Sequence, residues 1–169
     1  MAGKVVVLGI DPGSIITGFG VVETDGSSSH VIAWGSVRTS SRAPLSDRLA
    51  AIYKAVVEQV SSHRPDVIAV ENVFQSKNVR SALKLGHARG VILLAAAQSG
   101  AEIHEYAPRE VKMSVVGIGS ASKAQVASMV RRLLEVGDAE LGEDESDALG
   151  VALCYAHRMR SSVLEGSGR

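Results

Sequence analysis

The chain reads as an α/β protein, a mixed five-stranded sheet flanked by helices. Three observations carry this. Lys4–Ile10 is an unbroken, Val-rich apolar run, the mark of a strand buried on both faces. Two more strand-like segments follow, divided by the turn signal Gly26-Ser-Ser-Ser29. Beyond them helical and strand patterns alternate, as they do where helices cross over a sheet.

The elements follow in order. Thr17–Thr24 and His30–Arg38 complete a three-stranded meander with the first run. Pro44 opens a helix, because its ring presets a helical φ and its missing N–H is not needed there. Leu45, Leu49, Ile52, Val56 and Val60 then share one helical face. Asp66–Val70 is a fourth short apolar strand, followed by a helix over Val79–Gln98 and a strand over Glu102–Tyr106. Pro108 opens a short helix. Ser122 with Gln125 forms a capping box for a helix expected to bury Val126, Val130, Leu133 and Leu134. A last helix is expected over Asp144–Arg158. Residues 1–158 read as a single domain, and the small, polar stretch 159–169 as a disordered tail.

At 169 residues the chain fits one domain. Such a domain buries roughly 70% of its unfolded surface, so the core needs no disulfide or structural metal. Cys154 is the sole cysteine, and a reducing, cytoplasmic location is the simplest expectation. The apolar start stops at Asp11, too short for a signal peptide or a membrane span. Net charge is zero, which by itself argues against a nucleic-acid binder. Its distribution argues otherwise. Asn72 to Leu134 holds nine Lys and Arg against three acids, whereas Glu135 to Arg169 holds eight acids against three Arg. A basic middle beside an acidic cluster suits an anionic ligand held next to a cation site. Two solvated faces of opposite sign would give the same count.

Four carboxylates stand where chemistry can be placed. Asp11 follows the first strand and Glu71 the fourth. If those strands are parallel neighbours, about 4.8 Å apart, both acids emerge at one carboxyl edge of the sheet. Asp144 and Asp147 are three residues apart and share a helix face. Taken singly, each has a plain reading: a turn at Asp11, a solvated strand end at Glu71, a capped helix start at Asp144 and Asp147. Together they would repel unless they bound cations or protons. All-oxygen ligation points to Mg²⁺, with Mn²⁺ as a substitute. Two such ions about 4 Å apart activate water and stabilise a leaving oxygen in phosphodiester hydrolysis.

Five blocks then occur in order: Gly9-Ile-Asp-Pro-Gly-Ser14 with Thr17-Gly18; Glu71-Asn-Val-Phe74; Ser81-Ala-Leu-Lys-Leu-Gly86 with Ala88-Arg-Gly90; Val115-Val-Gly-Ile-Gly-Ser-Ala121; and Asp144-x-x-Asp147-Ala-Leu149. This series resembles the RuvC family of crossover junction endonucleases over about nine tenths of the chain. The resemblance implies a ribonuclease H-like fold, a homodimer, two divalent metals and paired symmetric nicks in four-way (Holliday) DNA junctions during recombination and repair. It also implies cooperation with the RuvA–RuvB branch-migration complex. It makes Asp11, Glu71, Asp144 and Asp147 the metal-binding catalytic acids, and it places Lys112 and Lys123 near the scissile phosphate. Phe74 is expected to enter the junction core, where an aromatic ring can stack on an unpaired base.

Further DNA contacts are expected from Lys77, Arg80, Lys84 and Arg89, on or just before the second long helix. Gly117, Gly119 and Ser120 can offer backbone N–H groups to a phosphate. Two other functions fit parts of the pattern. A non-catalytic junction-binding protein on the same fold would be expected to lack one of the four acids. A phosphotransferase of the actin and sugar-kinase type opens with a similar strand, acid and glycine turn, but needs a second domain for which 169 residues leave no room.

Overall fold

The computed structural model describes residues 3–73, 78–137 and 139–166, with side chains to residue 160. Its five strands are β1 (Val5–Asp11), β2 (Ile16–Thr24), β3 (Ser29–Arg38), β4 (Val67–Glu71) and β5 (Glu102–Tyr106). Its helices are α1 (Leu45–His63), α2 (Val79–Ser99), α3 (Pro108–Val116), α4 (Lys123–Leu133) and α5 (Glu143–Gly166). The strands lie in the order β3-β2-β1-β4-β5, with β1 to β3 antiparallel and β4 and β5 parallel to β1. This is the expected meander joined to crossover units.

Both faces of the sheet are covered, which explains why β1 and β4 carry apolar residues without alternation. On one face Leu8, Ile10, Ile68 and Val70 pack against Ile52 and Val56 of α1 and Ala88 and Ile92 of α2. On the other, Val7, Val67 and Ala69 join Val111 of α3, Val126 and Val130 of α4, and Leu149 and Leu153 of α5.

Helix α5 lies unusually close to the sheet. A Cβ at Gly9 would stand 2.2 Å from the carbonyl oxygen of Ala148, and one at Gly18 would stand 2.1 Å from that of Asp144. The glycines therefore let helix backbone rest directly on strand backbone.

Two expectations are corrected. Helix α5 continues to Gly166, so residues 159–166 are helical and not a loose tail. Leu133, expected in the core, is 37% exposed, while Leu134 is buried at the cap of α4. The helix ends at that point, and its last turn points one leucine outward.

Candidate active site

The register of β1 with β4 builds half of the site. Ile10 pairs with Val70 in a parallel ladder, so the next residue on each strand, Asp11 and Glu71, stands at the same edge. The turn after Asp11 is pinned by two residues, Thr17 and Arg48. Thr17 Oγ1 donates to the Gly13 carbonyl at 2.8 Å and accepts the Gly13 N–H at 3.3 Å. The buried Arg48 of α1 donates through Nε to the Ser14 carbonyl at 2.9 Å. On the other strand the Asn72 N–H donates to the Tyr106 carbonyl at 2.7 Å, holding β4 against β5 just past Glu71.

Helix α5 supplies the rest. Its first turn comes down beside Gly18, the partner of Asp11 on β2. Asp147, 17% exposed, faces a cleft of about 280 Å³ shared with Asp11, Glu71, Lys112 and Lys123. Pro12, Pro108, Val111 and Val126 form its apolar walls. Asp144 stands close enough that its charge acts on both Asp11 and Asp147, although it does not line the cleft.

The electrostatics are those of crowded, buried acids. Asp11 is pushed up to about 9, first by burial and then by the Glu71 charge. Glu71 is raised by burial and by Asp147, against the opposing effect of a hydrogen bond from Asp11 and of Lys123 and Lys112. Of this coupled pair, Asp11 keeps the proton and its O–H donates a hydrogen bond to the Glu71 carboxylate. Asp147 is raised by burial, with Lys123 opposing. Lys123 donates to Asp147 Oδ2 at 3.2 Å and pairs with Glu143 Oε1 at 2.7 Å, and Glu143 holds it above the ordinary lysine range.

Among the described residues, no three acid, histidine or cysteine side chains close around a single point. Asp11 and Glu71 bond to each other, and Asp147 turns to Lys123. The donor chemistry nevertheless suits a hard divalent cation. Three carboxylates line one cleft, held toward the protonated form first by burial and then by one another's charge, with Lys123 and Lys112 opposing at Glu71.

This arrangement has a measurable consequence. The folded chain holds the Asp11 proton up to about pH 9, whereas the unfolded chain releases it near 3.8, as an ordinary aspartate does. Between those limits the folded state binds more protons, so stability in chelator falls as pH rises. Asp11→Asn removes the charge. It is expected to raise the chelator-treated melting temperature at pH 8 by about 4 °C, worth roughly 1–2 kcal/mol in a domain this size. Mg²⁺ should stabilise wild type and leave Asp11→Asn nearly unmoved. Thermal melts at pH 5 and pH 8 check both points. An equal pH slope in the two proteins would contradict the buried-charge account.

The other expected contacts divide. Arg80 is exposed in the first turn of α2 and Lys84 is half-buried on the same helix; neither lines the cleft. Arg89 turns to β5 and pairs with Glu105, which gives it a protein carboxylate where a DNA phosphate was expected. Gly117 is the left-handed cap of α3, φ 83°, and its N–H is committed to the Met113 carbonyl. Gly119 and Ser120 remain in the loop ahead of α4. Phe74 and Lys77 lie outside the described residues. Sequence reasoning missed Glu143, the second partner of Lys123; its place beside Asp144 was the available signal.

Comparison with known proteins gives the family and the fold. The family model for crossover junction endodeoxyribonuclease RuvC matches residues 7–155. The crossover junction endodeoxyribonuclease RuvC of Ruminiclostridium cellulolyticum is 43% identical over 164 residues, covering 97% of this chain and 99% of that protein. The solved structure of Thermus thermophilus RuvC superposes with a TM-score of 0.84 at 36% identity, covering 93% of this chain and 96% of that one. The structure of T. thermophilus RuvC in complex with Holliday junction substrate superposes with a TM-score of 0.87 at 35% identity, covering 94% and 96%.

Proposed function

Because this chain belongs to the RuvC family of crossover junction endodeoxyribonucleases, we propose that its carboxylate cleft is the centre that nicks four-way DNA junctions. Its ribonuclease H-like sheet supports this reading. The observation that carries it is the parallel β1–β4 register, which sets Asp11 beside Glu71 in a cleft completed by Asp147 and flanked by Lys112 and Lys123.

In this reading Asp11, Glu71, Asp144 and Asp147 hold two Mg²⁺ ions, for which Mn²⁺ can substitute. Bound there, the metals supply activation of water and stabilisation of the leaving oxygen in phosphodiester hydrolysis. The chain's own residues do the positioning. Asp11 gives up its proton to become a ligand, and Glu71 is then relieved of its hydrogen-bond donor. Lys112 and Lys123, both lining the cleft, draw the scissile phosphate into it as point charges. Lys123 must exchange part of its contact with Asp147 for phosphate, while Glu143 keeps it in place. Val111 and Val126 shape an apolar wall that limits free water beside the phosphate.

A homodimer supplies the second cut, and α2 is the element that best fits its interface. Val79 is 77% exposed, Leu83 60% and Leu94 52%, and nothing lies within 4 Å of a Cβ at Gly86 or Gly90. Apolar side chains interspersed with glycines let a second backbone approach. Arg80, Lys84, Gly119, Ser120, Phe74 and Lys77 are assigned to the junction arms and core. Work with a RuvA–RuvB motor and a place in the cytoplasm complete the reading. Among the described residues no helix is long and apolar enough to cross a membrane.

The test is direct. The protein is incubated with an end-labelled mobile junction and Mg²⁺, and the nicks are mapped. Paired nicks at symmetric positions in opposing strands are expected. Nicks scattered along the duplex arms, or none, would overturn the assignment.

A further inference from the structure

Resting on the junction-nuclease reading, we infer that Arg109, seated by Gly119, grips the phosphate backbone of the DNA arm as it leaves the cleft. Arg109 is the second residue of α3. Its neighbours Pro108 and Lys112 line the carboxylate cleft. Arg109 itself faces the adjoining groove between α3 and the second half of α5, about 650 Å³, whose walls include Met113, Ser114, His157 and Arg158. One helix thus forms a wall of both spaces, and a strand leaving the cleft past Lys112 meets Arg109 next.

Charge in the groove favours a polyanion. Its acid, Glu110, is engaged twice: Oε2 accepts the Ala107 N–H at 2.8 Å, and Oε1 accepts Arg158 Nη2 at 2.8 Å. Arg109 is exposed, and among the described residues it makes no ion pair.

The Arg109 side chain rests against Gly119. A Cβ at Gly119 would lie 2.9 Å from both Cγ and Nε of Arg109. The backbone of Gly119 is not in the left-handed region, unlike that of Gly117, so what an added Cβ there would disturb is the lie of the Arg109 side chain and not the backbone. The arginine stem therefore lies against the loop backbone. With the stem confined on that side, the guanidinium has less freedom to lose on binding a phosphate.

The experiment measures binding of a fluorescent four-way junction to the full chain in chelator, over a series of salt concentrations. Wild type, Arg109→Ala, Gly119→Ala and the double variant are compared, with melting temperatures alongside. Arg109→Ala should weaken binding roughly tenfold, on any arm sequence, and reduce the log–log salt slope by about 1. Gly119→Ala should weaken binding in the wild-type background and add nothing in the Arg109→Ala background, because it acts by evicting the arginine. An unchanged salt slope for Arg109→Ala overturns the inference. So do additive losses, or normal binding by Gly119→Ala, which would leave the loop as a backbone phosphate donor only. Should Gly119→Ala melt low, the slope of Arg109→Ala decides alone. Wild type that binds and nicks junctions while Arg109→Ala keeps its slope refutes only this grip. Wild type that binds no junction refutes the reading beneath it as well.

Discussion

Asp147→Asn is expected to lose junction cleavage by about 10²–10³ or more, the scale on which one positioned charge-stabilising group acts, and to keep junction binding. The substitution preserves size and hydrogen-bonding capacity. It removes the charge of a buried carboxylate that already resists ionisation, so the fold is not penalised. Lys123 keeps its 2.7 Å contact with Glu143 and stays at the cleft wall. One negative charge fewer beside the phosphates should leave binding equal or tighter. Gel shift in Ca²⁺ and nicking in Mg²⁺ separate the two effects. Normal cleavage by Asp147→Asn would remove this acid from the metal set.

The second large effect concerns symmetry. Resolving a four-way junction needs two nicks on strands related by a two-fold axis, and one cleft at one sheet edge makes one of them. Isologous homodimers are the commonest assembly that places an identical site in the related position. A purified mixed dimer of wild-type and Asp11→Asn chains is therefore expected to nick one strand and stop. The product should be a singly nicked junction in nearly full yield, with linear duplexes nearly absent. Full resolution by mixed dimers that cannot exchange subunits would rule out one site per nick. A monomeric mass for the active species on the junction would rule out the dimer.

Much of this was legible in the residues. The Val-rich β1 and β4, each ending in an acid, told both of their burial on two faces and of their shared edge, because parallel buried strands leave no alternation and end on their ligands. The capping box at Ser122 located the start of α4 to the residue. What escaped depended on tertiary contact. Nothing local says that Arg89 meets Glu105 from another element, or that Leu133 falls on the outer side of a terminating turn. The end of α5 was hidden because Met159 to Gly166 carries few apolar residues, while a helix already anchored by Leu149 and Leu153 can propagate through polar residues at little cost. That Asp11 and Glu71 would share one edge was legible in the strand pattern; that Lys123 would divide its contacts between Asp147 and Glu143 was not.

The seating of α5 on bare strand backbone has a consequence for how this molecule can change over generations. Gly9 and Gly18 carry no chemistry, yet they set the height at which the helix delivers Asp147 above Asp11. A methyl group at either would meet a carbonyl oxygen near 2 Å, and main chain cannot rotate aside as a side chain does. The helix would have to lift, taking half of the carboxylates with it. No compensating substitution elsewhere restores a distance that is fixed by the absence of atoms. The ground open to heritable variation is therefore narrower than the list of reactive groups suggests, and it is bounded by two positions that a search for function would pass over.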